Sequence, residues 1–193
     1  MGQKTVVDQS LSEQLSAHIA VFEQLPALMG QLASTAEQLV ETLRGGNKIL
    51  LAGNGGSAAD AQHIAAELTG RYLRTRKGLP AIALTTDTSA LTAIGNDFGF
   101  DQVFVRQLEA LAVAGDAFIV YSTSGNSSNI IAAVELAREI GCSTIALTGE
   151  GGGRLKDQVD VCFCMPSNET PRIQEAHAFI GHALCDLIDR QFS

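Results

Sequence analysis

The sequence predicts an α/β protein in which helices cover both faces of a parallel sheet. Short, continuous apolar runs alternate along the chain with segments of helical periodicity, which is typical of strands buried on both faces. Two of these runs, at residues 48–53 and 117–122, end directly in polar loops from which a helical pattern starts. A hydrophobic content of 46% and 19 glycines in 193 residues fit one compact domain.

Two helices are predicted before the first strand. Apolar residues recur every three or four positions over residues 9–44, with a break expected around Ser34-Thr35, and Gly45-Gly46-Asn47 ends the region as a helix stop. The apolar face of these helices is wide, although they have no sheet layer of their own to cover. We therefore expect them to pack on the core and on another subunit.

After this region, strands and helices alternate. Strands are expected at residues 48–53, 81–85, 117–122, 143–148 and 159–165. Helices are expected at residues 57–69, 89–95, 103–112, 127–140 and 171–191. No internal domain boundary is expected, so residues 1–193 form one domain, with an oligomerisation segment at about 9–45 and an α/β core at about 46–193.

Composition and charge exclude several classes of function. With a formal net charge of −8 and 13 scattered basic residues, the chain is not expected to bind nucleic acid. It contains neither a membrane-spanning run of about 18 apolar residues nor the apolar core of a signal peptide, so we expect a cytoplasmic protein without a membrane partner. The densest basic stretch, residues 71–77, is typical of an exposed loop; an arginine that faces the substrate or another subunit is the alternative.

Two polar loops at strand ends are suited to bind an anion such as phosphate. They are Gly53-Asn54-Gly55-Gly56-Ser57 and Ser122-Thr123-Ser124-Gly125-Asn126-Ser127. Each leads into a helix, whose N-terminus offers unpaired N–H groups and a positive dipole end, and the hydroxyls add neutral donors. Ala58 stands where the dinucleotide-binding fingerprint needs a third glycine, so no nucleotide cofactor is expected. A plain tight turn is the alternative for the first loop.

Helical spacing brings chemically active side chains onto common faces. His63 and Glu67 lie four residues apart, and they can bind a metal, transfer a proton or form a surface hydrogen bond. A second polar set interrupts the apolar pattern of the last helix: Arg172, Gln174, Glu175, His177 and His182. Buried polar groups need partners. There are therefore two interpretations of this set: it belongs to a zinc or catalytic site, or its members are hydrogen-bonded core residues. The Asn96-Asp97 pair is typical of a turn, and alternatively presents an amide and a carboxylate to sugar hydroxyls.

Taken together, these residues resemble the bacterial phosphoheptose isomerases of the sugar isomerase (SIS) superfamily. The motifs that carry the resemblance are Asn54-Gly55-Gly56-Ser57, His63 with Glu67, Gly95-Asn96-Asp97-Phe98-Gly99, Ser122-Thr123-Ser124-Gly125-Asn126-Ser127, Leu147-Thr148-Gly149 and Arg172-Ile173-Gln174-Glu175 followed by His177. The resemblance extends from about residue 10 to the C-terminus. It implies a three-layer SIS fold with a five-stranded parallel sheet, and a homotetramer with active sites between subunits.

The same resemblance implies an aldose–ketose isomerase. Such an enzyme converts sedoheptulose 7-phosphate into D-glycero-D-manno-heptose 7-phosphate through an enediol or enediolate. This is the first step towards the ADP- or GDP-heptose precursors of the lipopolysaccharide core and other bacterial glycans. One proton must move between two carbons and another between their oxygens, which suits a carboxylate and a histidine. The resemblance implies these catalytic roles for Glu67 and His182.

The resemblance also implies which residues bind substrate and metal. Substrate contacts are expected from Asn54, Gly55, Gly56, Glu67, Asn96, Asp97, Ser122, Thr123, Ser124, Ser127 and Gln174. The phosphate is expected at the loop of residues 122–127. One Zn²⁺ ion per subunit is expected, with ligands His63, Glu67, Gln174 and His182. Zinc would either polarise the substrate carbonyl or organise the site.

Two non-enzymatic alternatives belong to the same superfamily. One is a SIS protein that binds the replication initiator, which lacks the carboxylate at the position of Glu67 and has arginine at that of Ser124. The other is a sugar-phosphate-sensing regulator, which normally carries an additional DNA-binding module. Because this chain has both Glu67 and Ser124, the enzyme is favoured. One departure from the family is Pro171 before Arg172, where some members carry an acidic residue.

Overall fold

A computed structural model describes residues 6–193 of the chain, and these contain seven α-helices and five β-strands. The helices are α1 (Val6–Phe22), α2 (Met29–Arg44), α3 (Gly56–Thr69), α4 (Thr88–Phe98), α5 (Val105–Leu111), α6 (Ser128–Ile140) and α7 (Thr170–Phe192). The strands are β1 (Ile49–Gly53), β2 (Ala81–Ala83), β3 (Ala117–Ser122), β4 (Ser143–Thr148) and β5 (Val161–Cys164). Within this described part, every helix is too short or too polar to cross a membrane.

All five strands pair in parallel in one sheet, in the order β2-β1-β3-β4-β5. This confirms the α/β class and the parallel sheet. β3 and β4 have the predicted bounds, whereas β2 and β5 are shorter than predicted. The strand order reverses between β1 and β3, where Gly53 lies beside Tyr121. In such sheets ligands bind in the crevice outside the carboxyl ends of the strands at this switch point.

Helices cover both faces of the sheet. On one face, α2, α3 and α7 pack against a core that includes Leu51 and Ile119. On the other face, α4, α5 and α6 pack against a core that includes Leu50 and Phe118. Successive residues of each strand therefore enter different cores. Since both cores are buried, the strands have continuous apolar sequences rather than alternating ones.

The N-terminal helices break at a different place from the one predicted. α2 runs without interruption through Ser34 and Thr35, whose hydroxyls donate to the backbone oxygen of Gln31 at 3.0 and 2.8 Å. The break lies instead at a 3₁₀ segment, Leu25–Leu28, where Pro26 has no N–H to offer to a helical hydrogen bond. The expected break at residues 34–35 is therefore wrong, because the two hydroxyls are satisfied within the helix.

α1 lies against α7 on one side only. Nδ1 of His18 contacts Oε2 of Glu175 at 2.8 Å, which ties the two helices together. Elsewhere on α1, Val7, Leu11 and Leu15 recur at intervals of four residues and are exposed by 66%, 61% and 60%. The surplus of apolar surface expected from the sequence is therefore present on α1.

The Asn96-Asp97 pair lies in the last turn of α4 rather than in a turn between elements. The helix ends at Gly99, whose φ of +89° is a conformation that favours glycine. Nδ2 of Asn96 donates to Oδ1 of Asp97 at 2.7 Å. The turn expected at this pair is therefore wrong, because α4 continues through both residues and ends only at Gly99.

Candidate active site

Three polar side chains meet where α3 packs against α7. Nε2 of His63 is 3.2 Å from Oε1 of Glu67 on the next turn of α3, and 3.3 Å from Nε2 of His182 on α7. One ligand atom from each of the three residues lies within 4.8 Å of the others. We call these residues the His–Glu–His cluster. The structure thus brings together three of the four predicted zinc ligands and both predicted catalytic residues.

The contacts within the cluster fit a metal ion. Nε2 of His63 has at most one proton to share between Glu67 and His182, so hydrogen bonding leaves one contact poorly satisfied. A cation between the three side chains satisfies them all, because it takes a lone pair from each. Ligand atoms about 2.0–2.1 Å from a tetrahedral zinc ion lie about 3.3 Å apart, which matches both contacts of His63. Two imidazoles and a carboxylate are also a donor set that zinc accepts, with a fourth position left for another ligand.

A buried arginine fixes the end of α3 that carries Glu67. The side chain of Arg76 is fully buried, and its guanidinium donates to the backbone oxygens of Glu67 at 3.1 Å and Leu68 at 2.8 Å. It also donates to Oδ1 of Asp189 on α7 at 2.7 Å. A cation at a helix C-terminus is stabilised by the unpaired carbonyls and by the helix dipole. The expected exposed loop over residues 71–77 is therefore wrong for Arg76.

Asp189 also anchors the segment that follows α3. Its Oδ2 accepts the backbone N–H groups of Leu73 and Arg74 at 3.0 and 3.1 Å. Burial alone would raise the pKa of Asp189, but these donors and Arg76 outweigh burial and hold its pKa below the usual range. The carboxylate is therefore charged in the folded protein, and it holds this segment against α7.

Two histidines of α7 have opposite environments. The ring of Tyr72, in the anchored segment, stacks on His182 with centroids 5.3 Å apart and an interplanar angle of 21°, so it limits rotation of the imidazole. His177 is fully buried, and its Nε2 donates to the backbone oxygen of Thr148 at 3.3 Å. Burial lowers the pKa of His177 to about 4, although the hydrogen bond acts in the opposite direction. His177 is therefore a neutral core residue, and His182 is the histidine of the site.

The second polar loop surrounds the start of α6. Oγ of Ser122 lies 3.3 Å from Oγ of Ser127, and Oγ of Ser124 accepts the N–H group two residues further on at 3.1 Å. The backbone oxygen of Thr123 accepts the N–H of Gly149 at 2.9 Å, which ties the loop to the end of β4. Ser127 is the N-cap of α6, but within residues 6–193 no side chain caps this helix. Its first N–H groups are therefore available to an anion.

The first polar loop brings the backbone close to two neighbours. The side-chain amides of Asn54 and Asn129 exchange two hydrogen bonds of 2.9 Å each. Gly55 has a φ of +57°, which favours glycine. The next residue, Gly56, begins α3, and the space that a Cβ would fill there is taken by the side chain of Gln174. The glycines of this loop therefore serve a close approach of α7 as well as a turn.

Gln174, Asn96 and Asp97 are not part of the His–Glu–His cluster. Gln174 is eight residues before His182, which corresponds to about 12 Å along α7. Asn96 and Asp97 contact each other on α4, which packs on the opposite face of the sheet from α3. Their roles in binding substrate, and that of Gln174 as a zinc ligand, stay predictions.

Asp60 is a site candidate that the sequence interpretation did not single out. It lies on α3, one turn before His63 and one turn after Gly56, so the three share one side of the helix. Its Oδ2 is buried and has no hydrogen-bond partner among the described residues 6–193. Burial raises the pKa of Asp60 to about 6, and the nearby His63 acts in the opposite direction. The helical spacing of these residues was the signal that could have identified Asp60.

Comparison with known proteins shows the family to which this fold belongs. A family model described as the SIS domain matches residues 15–149, so the chain is a SIS-domain protein. The phosphoheptose isomerase of Aliarcobacter butzleri is 55% identical over 183 residues, which cover 95% of this chain and 97% of the relative. That of Geobacter sulfurreducens is 56% identical over 182 residues, which cover 94% and 96%. The chain therefore belongs to the phosphoheptose isomerase family.

Solved structures agree with this assignment. The phosphoheptose isomerase of Neisseria gonorrhoeae superposes with a TM-score of 0.90 at 45% identity, covering 96% of this chain and 100% of the other. The phosphoheptose isomerase of Francisella tularensis superposes with a TM-score of 0.89 at 40% identity, covering 97% and 100%. The SIS fold implied by the sequence resemblance is thus confirmed.

Proposed function

We propose that this protein interconverts sedoheptulose 7-phosphate and D-glycero-D-manno-heptose 7-phosphate through an enediol or enediolate. Its membership of the phosphoheptose isomerase family makes it an isomerase. The observation that carries the proposal is the His–Glu–His cluster, in which a carboxylate and two imidazoles meet within 4.8 Å. These are the groups that most often transfer protons in enzymes, and isomerisation of an aldose and a ketose needs two proton transfers.

Glu67 and His182 carry the two protons. Among residues 6–193, the hydrogen bond of Glu67 uses Oε1, which leaves Oε2 to take a proton from one substrate carbon and return it to its neighbour. His182, which Tyr72 orients, exchanges the second proton with the two substrate oxygens at Nε2. Arg76 keeps the last turn of α3 in place, so that Glu67 does not move away from the substrate.

One zinc ion per subunit would be held by His63, Glu67 and His182. Gln174 is proposed as the fourth ligand, and this part needs its own test because Gln174 lies about 12 Å along α7 from His182. The spacing of the first three supports their part in this site. When bound, zinc would polarise the substrate carbonyl and stabilise charge on the enediolate. Nε2 of His182 cannot bind a metal and carry a proton at the same time. Comparing the activity of chelated and zinc-loaded protein therefore shows whether His182 acts as a zinc ligand or as the group that transfers the proton. The zinc affinity of Gln174→Ala tests whether Gln174 is the fourth ligand. An affinity equal to that of the wild type would exclude this role.

The phosphate of the substrate binds at the start of α6. The hydroxyls of Ser122, Ser124 and Ser127 and the uncapped N–H groups of the first turn support this placement. The loop lies at the carboxyl end of β3, next to the strand that leads into α3. Asn54, Gly55, Gly56, Thr123, Asn96, Asp97 and Gln174 complete the proposed contacts with the sugar. Replacing Ser124 by arginine should raise KM for the phosphosugar at least tenfold and leave the fold unchanged.

The protein is a homotetramer whose active sites include residues of neighbouring subunits, and α1 and α2 form its oligomerisation segment. The exposed apolar stripe of Val7, Leu11 and Leu15 supports this proposal, because such a surface is stabilised when another subunit covers it. Sedimentation equilibrium should give four times the mass of the chain. The double variant Leu11→Glu and Leu15→Glu should lower that mass and the activity together. A wild-type monomer would contradict the proposal.

The test of the activity is direct. Purified protein is incubated with sedoheptulose 7-phosphate, and the aldose product is followed by NMR or by a coupled kinase. Glu67→Gln and His182→Gln should each lower kcat at least 10²-fold, which is the lower end of general acid–base contributions. A folded wild-type protein without turnover, with or without zinc, would overturn the proposal. A cytoplasmic location and a supply of heptose to lipopolysaccharide are part of the same proposal.

A further inference from the structure

We propose that Asn129 is a positioning residue that holds the substrate-binding amide of Asn54 in its productive orientation. The inference rests on the proposed function, because it assigns the residue a part in that reaction. Asn54 directly follows β1, and Asn129 is the second residue of α6, which follows β3. Because β1 and β3 are neighbours at the switch point of the sheet, the two side chains meet across the crevice where ligands of such sheets bind.

The geometry of the pair fixes the plane of the Asn54 amide. Nδ2 of each residue donates to Oδ1 of the other at 2.9 Å, so the two amides form a closed ring. A single hydrogen bond would allow the amide to pivot, whereas two opposed bonds do not. Each amide keeps a second N–H and a second lone pair. Those of Asn54, which is only partly buried, remain accessible to a substrate.

The burial of Asn129 argues that its amide has a specific task. Its residue exposure is 2%, and among residues 6–193 its side chain hydrogen-bonds only to Asn54. An amide taken out of water gains little net stability from its hydrogen bonds, and an apolar side chain in the same space would avoid the cost. What the amide supplies, and an apolar residue would not, is the fixed orientation of Asn54. A preorganised binding group of this kind lowers the barrier of the reaction it serves.

The test is a double-mutant cycle on kcat/KM for sedoheptulose 7-phosphate. Asn129→Ala should lower kcat/KM about 10-fold to 100-fold, the effect of a misplaced positioning group. If Asn129 acts through Asn54, the double variant Asn54→Ala and Asn129→Ala should be no worse than Asn54→Ala alone. Independent, multiplying losses would overturn the proposal, as would an Asn129→Ala variant with wild-type kcat/KM. Should that variant fail to fold, Asn129→Asp replaces it, since this change keeps the shape and sets one oxygen against Oδ1 of Asn54.

Asn47 provides a matched control at the other end of the same strands. Its Nδ2 donates to the backbone oxygen of Ala114 and to Oδ1 of Asp116, at 3.1 and 3.2 Å. Asn47→Ala should therefore lower the unfolding midpoint and leave kcat/KM within twofold of wild type. A loss of activity equal to that of Asn129→Ala would show that both effects are merely structural.

A measurement without substrate separates this inference from the proposed function. In NMR spectra of wild-type protein, the side-chain amide proton that Asn54 donates to Asn129 should exchange slowly with solvent, and the same proton should exchange at least tenfold faster in Asn129→Ala. Unchanged exchange would overturn the positioning role even in an active enzyme. Faster exchange in a protein without isomerase activity would leave the orientation of Asn54 established and would overturn only the proposed function.

Discussion

Replacing Gly56 by alanine tests whether the reaction depends on the position of Gln174. The change adds one methyl group at the first residue of α3, where helical backbone accepts alanine. A Cβ at this position would lie 2.9 Å from Cδ of Gln174 and closer still to its Nε2. Ordinary contact begins at 3.4 Å, so the amide must withdraw by about 1 Å, and a misplacement of that size costs about 10²-fold in rate. This loss corresponds to about 2.7 kcal/mol of transition-state stabilisation.

The assay is steady-state isomerisation of sedoheptulose 7-phosphate by Gly56→Ala, with thermal unfolding measured in parallel. Stability should change little, because the displaced group is the end of a flexible side chain. Gly30→Ala is the matched control. Among residues 6–193, no atom apart from the backbone of α2 itself lies within 4 Å of the Cβ position of Gly30, so the change should add about 0.5–1 kcal/mol of stability and leave kcat unaltered. In a Gln174→Ala background, Gly56→Ala should have no further effect. A kcat of Gly56→Ala within twofold of wild type would refute the reasoning.

Three further predictions concern the metal, the buried histidine and the buried ion pair. His63→Ala should lower zinc affinity at least 100-fold in calorimetric titration, and zinc should raise the melting temperature of the wild type but not of this variant; equal affinities would contradict the zinc site. Because the pKa of His177 is lowered from 6.5 to about 4, its contribution to stability is complete above pH 6.5 and is lost as pH falls through 4. As the pH falls from 6.5 to 4, the free energy of unfolding measured in urea should decrease by about 3 kcal/mol more for the wild type than for His177→Gln. Parallel pH profiles of the two proteins would disprove this prediction. Asp189→Asn leaves Arg76 without its buried counter-charge and should cost about 3–5 kcal/mol in unfolding free energy; a cost below 1 kcal/mol would show that Arg76 finds another partner.

Local patterns predicted most elements of the fold. The continuous apolar runs at β3 and β4 predicted the bounds of these strands, because a strand that is buried on both faces is apolar at most of its positions rather than at every second one. The break between α1 and α2 was misplaced because Ser34 and Thr35 have low helix propensity but bond back to the preceding turn. Pro26 was the stronger indication of a helix break, because proline has no backbone N–H to donate, whatever residues surround it.

The candidate site was predicted unevenly, and the physical reason differs between its parts. His63 and Glu67 are four residues apart on one helix, so their proximity follows from helix geometry alone. His182 joins them only because α3 and α7 pack side by side, and no spacing in the sequence distinguishes it from the buried His177. Asp60 lies at helical spacing from Gly56 and His63, but the burial of its Oδ2, which distinguishes it from an ordinary helix aspartate, is known only from the structure.

The sequence by itself determined the class of fold, the family, and the two polar loops at strand ends, because each depends on residue types at short spacing. The tertiary structure decided which side chains meet. It pairs Asn54 with Asn129 across 75 positions of chain, places Arg76 under the end of α3, and seats Gln174 in the space that Gly56 leaves open. Contacts between elements depend on how helices pack on the two faces of the sheet, and local periodicity does not encode that packing.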